Sequence, residues 1–307
     1  VNVGIWDGGD ISQHLDFSPA GRVTQVETIG ASQHSTHCAG TILGRGLINP
    51  TARGMAPNAK LFSYNYNGNI QNEMANGIPA NNLIVSSHSY GSTQTCGLTG
   101  SGVAYSATSR ATDINLNNFP FHLHCHSAGN SQASCTGGWS TITSSGKTAK
   151  NNILVAAVTS TDAMTSFSSF GPAADGRVKP EIAAFGNSVF STSTPLNTYA
   201  TLSGTSMATP GVAGTVTLLV QRYKQLNADN LPISSLIKNI VLNGANDLGN
   251  AGPDYKFGYG RINALQAVRF LEQNRYVVST ITTGNSNTQT INVPAGTARL
   301  KVMLTWN

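Results

Sequence analysis

Residues 204–224 read GTSMATPGVAGTVTLLVQRYK. Val212, Val216, Leu219, Val220 and Tyr223 recur at three- and four-residue steps, which predicts one long helix over 206–224 with a single apolar face. Pro210 falls in its first turn, where the amides lack helical partners anyway. Gly211 and Gly214 would let such a helix approach a sheet closely. Ser206, at the helix entry, has two readings. The ordinary one is an N-cap. The other is a nucleophile, because a helix start exposes the hydroxyl and sets the positive end of the dipole beside developing negative charge. That second reading needs a base from elsewhere in the chain.

Upstream, short apolar runs at 1–6, 61–66, 82–87, 121–127 and 153–158 read as strands. Helical patterns at 34–43, 71–78 and 102–116 lie between them, and helices at about 233–243 and 262–273 follow the long one. Strand and helix alternating at this spacing predict βαβ units, hence an α/β fold with a doubly wound parallel sheet. After Asn274 the pattern changes. Segments 276–282, 288–293 and 298–306 alternate apolar and polar residues, with the polar turn Gly284-Asn285-Ser286-Asn287 after the first. Some 33 residues cannot make a stable sandwich alone. The expected organisation is therefore a domain over 1–273, with 274–307 as the start of a truncated antiparallel β-sandwich. Val1 opens on an apolar strand and Asn307 follows another, so the chain reads as a piece of a longer precursor.

Composition narrows the function classes. Charged residues are 10% of the chain, where about a quarter is usual. This excludes a coiled coil, a charged disordered tail and a thermophile-style ion-pair surface. The net charge of +5 is scattered, without the clustered Lys/Arg and interleaved aromatics a nucleic-acid binder needs. No run approaches the ~18 apolar residues of a membrane span.

Four short motifs carry chemistry. Ile5-Trp6-Asp7-Gly8-Gly9 ends the first strand, and His34-Ser35-Thr36-His37-Cys38-Ala39-Gly40 opens the first helix. Ser127-Ala128-Gly129-Asn130 ends a later strand, and Gly204-Thr205-Ser206-Met207-Ala208-Thr209-Pro210 opens the long helix. Taken singly, Asp7 suits a turn, Asn130 a tight Gly-Asn turn and His34 a helix start. Together, in the order Asp, His, Ser, Asn130 included, they resemble the subtilisin-like serine protease family over roughly residues 1–273. Two departures are Ser35, where that family usually has glycine, and Phe185, which replaces its usual proline.

The resemblance implies a serine endopeptidase acting on extended polypeptides through an acyl-enzyme. It implies Ser206 as nucleophile, His34 as base, Asp7 as the group orienting the imidazole, and Asn130 as oxyanion donor with the Ser206 amide. It places Ser89, Tyr90 and Gly91, and Ser127, Ala128 and Gly129, along the substrate. Lys179-Pro180-Glu181-Ile182 resembles a further landmark of the family. The family is secreted with an inhibitory N-terminal propeptide. A Ser/His/Asp set requires no cofactor. Calcium, which many members bind, finds no acid in the loop from Gly44 to Met55. The rival reading is a catalytically silent binding module on the same fold.

Other residues were weighed for different chemistry. His122, His124 and His126 share one face of a strand, with His88 near, which suggests zinc; a central strand under helices favours satisfied core histidines instead. His37 reads as a buried structural histidine and Cys38 as a small buried hydrophobe. Cys96 and Cys135 follow neighbouring strands and are placed to bridge, leaving Cys38 and Cys125 as free buried thiols; a Cα separation within roughly 7 Å decides it. The uncharged walls at 89–91 and 127–129 predict a neutral, apolar pocket for the residue before the scissile bond. An ordinary histidine base predicts an acid limb near pH 6.5–7.

Overall fold

A strand buried on both faces should be apolar along its whole length, and Ile153–Val158 (ILVAAV) is buried at all six positions. The computed structural model describes residues 1–92, 96–99 and 102–306. In chain order its regular elements are β1 (Asn2–Asp7), β2 (Val23–Gln25), α1 (Gln33–Leu43), β3 (Lys60–Asn65), α2 (Ile70–Asn81), β4 (Leu83–His88), α3 (Ala107–Asn118) and β5 (Leu123–Ser127). They continue with β6 (Ile153–Val158), β7 (Ile182–Phe185), β8 (Val189–Ser193), β9 (Thr198–Leu202), α4 (Thr205–Leu226), α5 (Ser234–Asn243) and α6 (Ala264–Glu272).

Seven strands form one parallel sheet in the order β2-β3-β1-β4-β5-β6-β7. This is the doubly wound α/β architecture. The order reverses between β1 and β4, and the crevice beyond the carboxyl ends of such strands is where open α/β sheets bind ligands. Asp7 ends β1 and His88 ends β4, so both chain segments run straight into that crevice. α4 crosses the sheet over β4, β5, β6 and β7 and packs on α1.

The close approach expected of α4 takes a different form. A Cβ on Gly214 would stand 2.6 Å from the Met55 Cβ and 3.3 Å from the Ile42 carbonyl oxygen, so this glycine admits α1 and the loop after it, not the sheet. Gly211 faces open space. The helix expected over 102–116 begins only at Ala107, where Ser106 caps it by accepting from the Ser109 amide. The strand expected from 121 begins at Leu123. β7 and the antiparallel hairpin β8–β9 lie outside the sequence expectation; the hairpin is rich in Ser and Thr, and its burial comes from packing on α1.

The strands expected over 276–282, 288–293 and 298–306 are not formed among the described residues. Val278, Ile281, Leu300 and Leu304 are exposed, so the alternating apolar face has no second sheet to cover it. Met303 touches the core, and the Asn239 side-chain amide donates to its carbonyl at 2.9 Å.

The Lys179-Pro180-Glu181 motif is a buried lock between β6 and β7. Lys179 is 1% exposed and donates to the Ala149 carbonyl and the Asn152 side chain at 2.7 Å each, and to Glu181. Glu181 in turn accepts the Leu154 amide at 2.8 Å. Lys238 Nζ also stands 3.7 Å from Glu181, so without Lys179 the carboxylate keeps only this longer pair. Lys179→Met, measured by thermal and denaturant unfolding in an inactive Ser206→Ala background, should therefore cost about 3 kcal/mol, the low end for a broken buried pair.

Candidate active site

Three of the four motifs meet at the switch point. Asp7 is buried at the end of β1, and the Gly8 amide donates to its Oδ1 at 2.7 Å. α1 is capped by Ser32, which accepts from the Ser35 amide at 3.2 Å, and this sets His34 in the first turn facing β1. The His34 Nδ1–H donates to Asp7 Oδ1 at 2.8 Å and reaches Oδ2 at 3.0 Å. That fixes the tautomer and leaves Nε2 for chemistry. Ser35 is wholly buried, and its hydroxyl finds no hydrogen-bond partner among the described residues.

Ser206 stands in the first turn of α4. Its hydroxyl donates to the Ser89 carbonyl at 3.2 Å, and its own carbonyl accepts from Ser89 Oγ at 3.1 Å and from Cys38 Sγ at 3.3 Å. Cys38 Sγ also lies 3.9 Å from His34 Nδ1. The three motif residues thus converge through Cys38 and Ser89, with the serine hydroxyl turned toward Ser89.

Asn130 follows β5. Its Oδ1 accepts from the Thr205 amide and hydroxyl, both at 3.0 Å, which orients the side chain and frees its NH₂. A Cβ on Gly204 would lie 3.3 Å from Asn130 Nδ2 and 3.5 Å from the Ser206 amide nitrogen. The missing side chain therefore leaves a space flanked by two N–H donors. Thr205, which also accepts from the Gly129 amide at 3.1 Å, was not singled out in the sequence, although a Thr beside the nucleophile was in plain view.

Electrostatics separate the groups. The Cys38 sulfur first, then the hydrogen bond and charge of Asp7, raise the His34 imidazole above its ordinary value, against the desolvation that burial imposes. Burial pushes the Cys38 thiol up, and a protonated thiol carries no charge, so at neutral pH the support that remains for the raised His34 is its hydrogen bond to Asp7.

The two segments placed along the substrate leave adjacent parallel strands, β4 and β5. Tyr90 donates its hydroxyl to His88 Nδ1 at 2.8 Å and tilts against Tyr66. Cys96 and Cys135 are bridged, with Cα atoms 5.5 Å apart, and tie the loops beyond those strands; Cys38 and Cys125 are free and buried. The segments themselves carry no charge, but a lysine packs against one of them. A Cβ on Gly91 would meet Lys147 Nζ and Thr143 Oγ1, each at 2.6 Å, and one on Gly129 would meet Thr143 Oγ1 at 2.5 Å. Lys147 lies 56 residues beyond Gly91 in a stretch without periodicity, so nothing in the sequence placed it here.

The histidines near this site are buried. His122 bonds the Leu83 carbonyl and Ser86 Oγ at 2.8 Å each, His88 bonds Ser86 Oγ at 2.9 Å, and His88 stacks on His124 at 3.9 Å. Burial lowers His122 to about 4 and His124 to about 3, so these rings are neutral. His126 is the least satisfied of them: among the described residues its buried ring nitrogens have only the Ser127 and Ser145 backbone as weak polar neighbours. His37 donates to the Val189 carbonyl at 3.0 Å and ties α1 to β8.

Comparison with known proteins bears on this arrangement. Residues 1–260 match the model of the subtilase family. The chain is 33% identical over 283 residues to subtilisin DY of Bacillus licheniformis, covering 88% of this chain and 91% of that protein. It is 46% identical over 70 residues to an extracellular serine protease of Serratia marcescens, a stretch of 23% of this chain and 6% of that protein. Among solved structures, the self-cleaved protease domain of PatA superposes with a TM-score of 0.69 at 22% identity, covering 89% of this chain and 97% of that one. No described helix is long and apolar enough to cross a membrane. The family model over most of the chain, with a full-length relative above 30% identity, establishes that this chain belongs to the subtilase family of serine peptidases.

Proposed function

We propose that the chain is a serine endopeptidase that cleaves extended polypeptides through an acyl-enzyme. The observation that carries this reading is the Asp7–His34 hydrogen bond at the switch point, opposite a space flanked by Asn130 Nδ2 and the Ser206 amide. Ser206 attacks the scissile carbonyl once its hydroxyl turns from Ser89 to His34. His34 Nε2 takes that proton and returns it to the leaving amine. Asp7 holds the imidazole in the useful tautomer and stabilises its charged form. Asn130 and the Ser206 amide receive the negative charge of the tetrahedral intermediate. Ser89, Tyr90 and Gly91 pair with the substrate backbone on one side, and Ser127, Ala128 and Gly129 border it on the other. No cofactor takes part in this scheme.

The same reading includes secretion, an inhibitory propeptide in the precursor, a catalytic domain over 1–273, and a separate β unit to which 274–307 belong. Its test is a fluorophosphonate serine reagent. Stoichiometric labelling at Ser206, abolished by Ser206→Ala, is the expected result. An unlabelled, folded protein would point to a silent binding module.

The pH dependence follows from the electrostatics of His34. A base works only when neutral, and a raised pKa keeps it protonated to higher pH. The acid limb of kcat/KM should therefore have its midpoint above the ~6.5 of an ordinary histidine. Asp7→Asn removes the carboxylate that supports the raised imidazole, so the His34 ring-proton NMR titration in that variant should move to lower pH. A midpoint at or below the ordinary value in the parent protein would contradict this.

A further inference from the structure

Three lysines of this fold, Lys147, Lys179 and Lys238, are buried, and two of them share one carboxylate, Glu181. Lys179 has Glu181 against it, and that carboxylate raises its pKa against the burial that lowers it. Lys147, 1% exposed, has no carboxylate among the described residues. Its amine makes one hydrogen bond there, to Thr143 Oγ1. Burial lowers it to about 7, and no acid opposes the shift. An unpaired ammonium in the interior is costly and is ordinarily matched by an anion.

The position of the amine says where that anion would come from. It lies against Gly91, where a Cβ would stand 2.6 Å from it, and Thr143 lies against both Gly91 and Gly129. These two glycines are in the segments assigned to the substrate on either side of the cleft. Gly129 has φ +113°, a conformation few other residues adopt, and a side chain on it would collide with Thr143. With no side chain at 91 or 129, Thr143 and the buried Lys147 amine pack directly against the two segments. Beside them is His126, a buried neutral ring whose pKa falls well below the usual value through desolvation first and the Lys147 charge next. The amine and the Thr143 hydroxyl thus meet no negative charge among the described residues.

We infer that Lys147 is a specificity-determining residue at the base of the pocket for the residue before the scissile bond, and that it selects glutamate or aspartate there. The inference rests on the protease reading above. A side-chain carboxylate entering between Gly91 and Gly129 supplies the missing counter-charge, and Thr143 gives up its lone pair to the amine or donates its hydroxyl to the carboxylate. A lysine or arginine at the same substrate position would bring a second cation against the first. This replaces the apolar pocket expected from the wall residues alone.

The test is a set of internally quenched peptides identical except for Glu, Gln, Leu or Lys before the cleaved bond. Glu should exceed its isostere Gln by about 10–100-fold in kcat/KM, because the site's polar groups stay unpaired with Gln. Lys should be the poorest. Lys147→Met should remove the Glu-over-Gln preference while still cutting the Leu peptide. The parent protein alone decides the matter if that variant does not fold. Equal rates for Glu and Gln, or faster cleavage after Leu, would overturn the pocket assignment and leave the protease reading standing. No cleavage of any peptide, with Ser206 unlabelled by the serine reagent, would remove both.

Discussion

Ser206→Ala should lower kcat by roughly 10⁵–10⁶-fold, His34→Ala should lose about as much, and the double variant should lose little more. The scale is borrowed from subtilisin itself, where such residues act as one unit. The physical reason is visible in the hydrogen bonds of this chain. His34 is held by Asp7 at 2.8 Å and has no task without a hydroxyl to deprotonate. Ser206, without His34, has only a carbonyl oxygen to bond, and a carbonyl is no base. Each single change therefore disables the same step. Single-turnover kinetics with an activated ester and a peptide would measure it. Losses that multiply in the double variant would mean that the two side chains act separately and would reject the roles given to them.

The second large effect is expected at Asn130. Asn130→Leu should reduce kcat by about 10²–10³ with KM little changed, again on the scale known from subtilisin. The donor is useful only when charge develops on the substrate oxygen, so the loss should appear in the transition state and not in binding. Asn130 also accepts two hydrogen bonds from Thr205, so part of the loss could come from a displaced loop. Thr205→Val separates these contributions. It removes the hydroxyl that orients Asn130 but leaves the Thr205 amide and the Asn130 NH₂ in place. A loss near 10-fold, an order below that of Asn130→Leu, is expected for a positioning residue that gives up its hydrogen bonds to Asn130 and to the Gly129 amide. Equal losses in the two variants would mean that Asn130 acts through the loop and not on the oxyanion.

The division between sequence and structure follows the range of the interactions. Local signals were legible. The apolar run at 153–158, the periodic face of 206–224 and the alternation of strands with helices specify a doubly wound sheet, because each depends on residues a few positions apart. Asp7, His34, Asn130 and Ser206 were legible because each sits in a short motif at the end of an element, and parallel topology carries strand ends and helix starts to one edge. The bridge between Cys96 and Cys135 was legible for the same reason, since both loops leave neighbouring strands. After residue 274 the alternation specifies a face but not the partner that buries it, and no strand is formed there among the described residues. What tertiary structure alone decided lies in irregular chain. Lys147 reaches Gly91 from a loop with no periodicity, and its lack of a carboxylate appears only once every neighbour is in place. A charge pattern along a sequence shows which charges exist. Which of them are buried, and which are left without a partner, is set by packing between segments far apart in the chain.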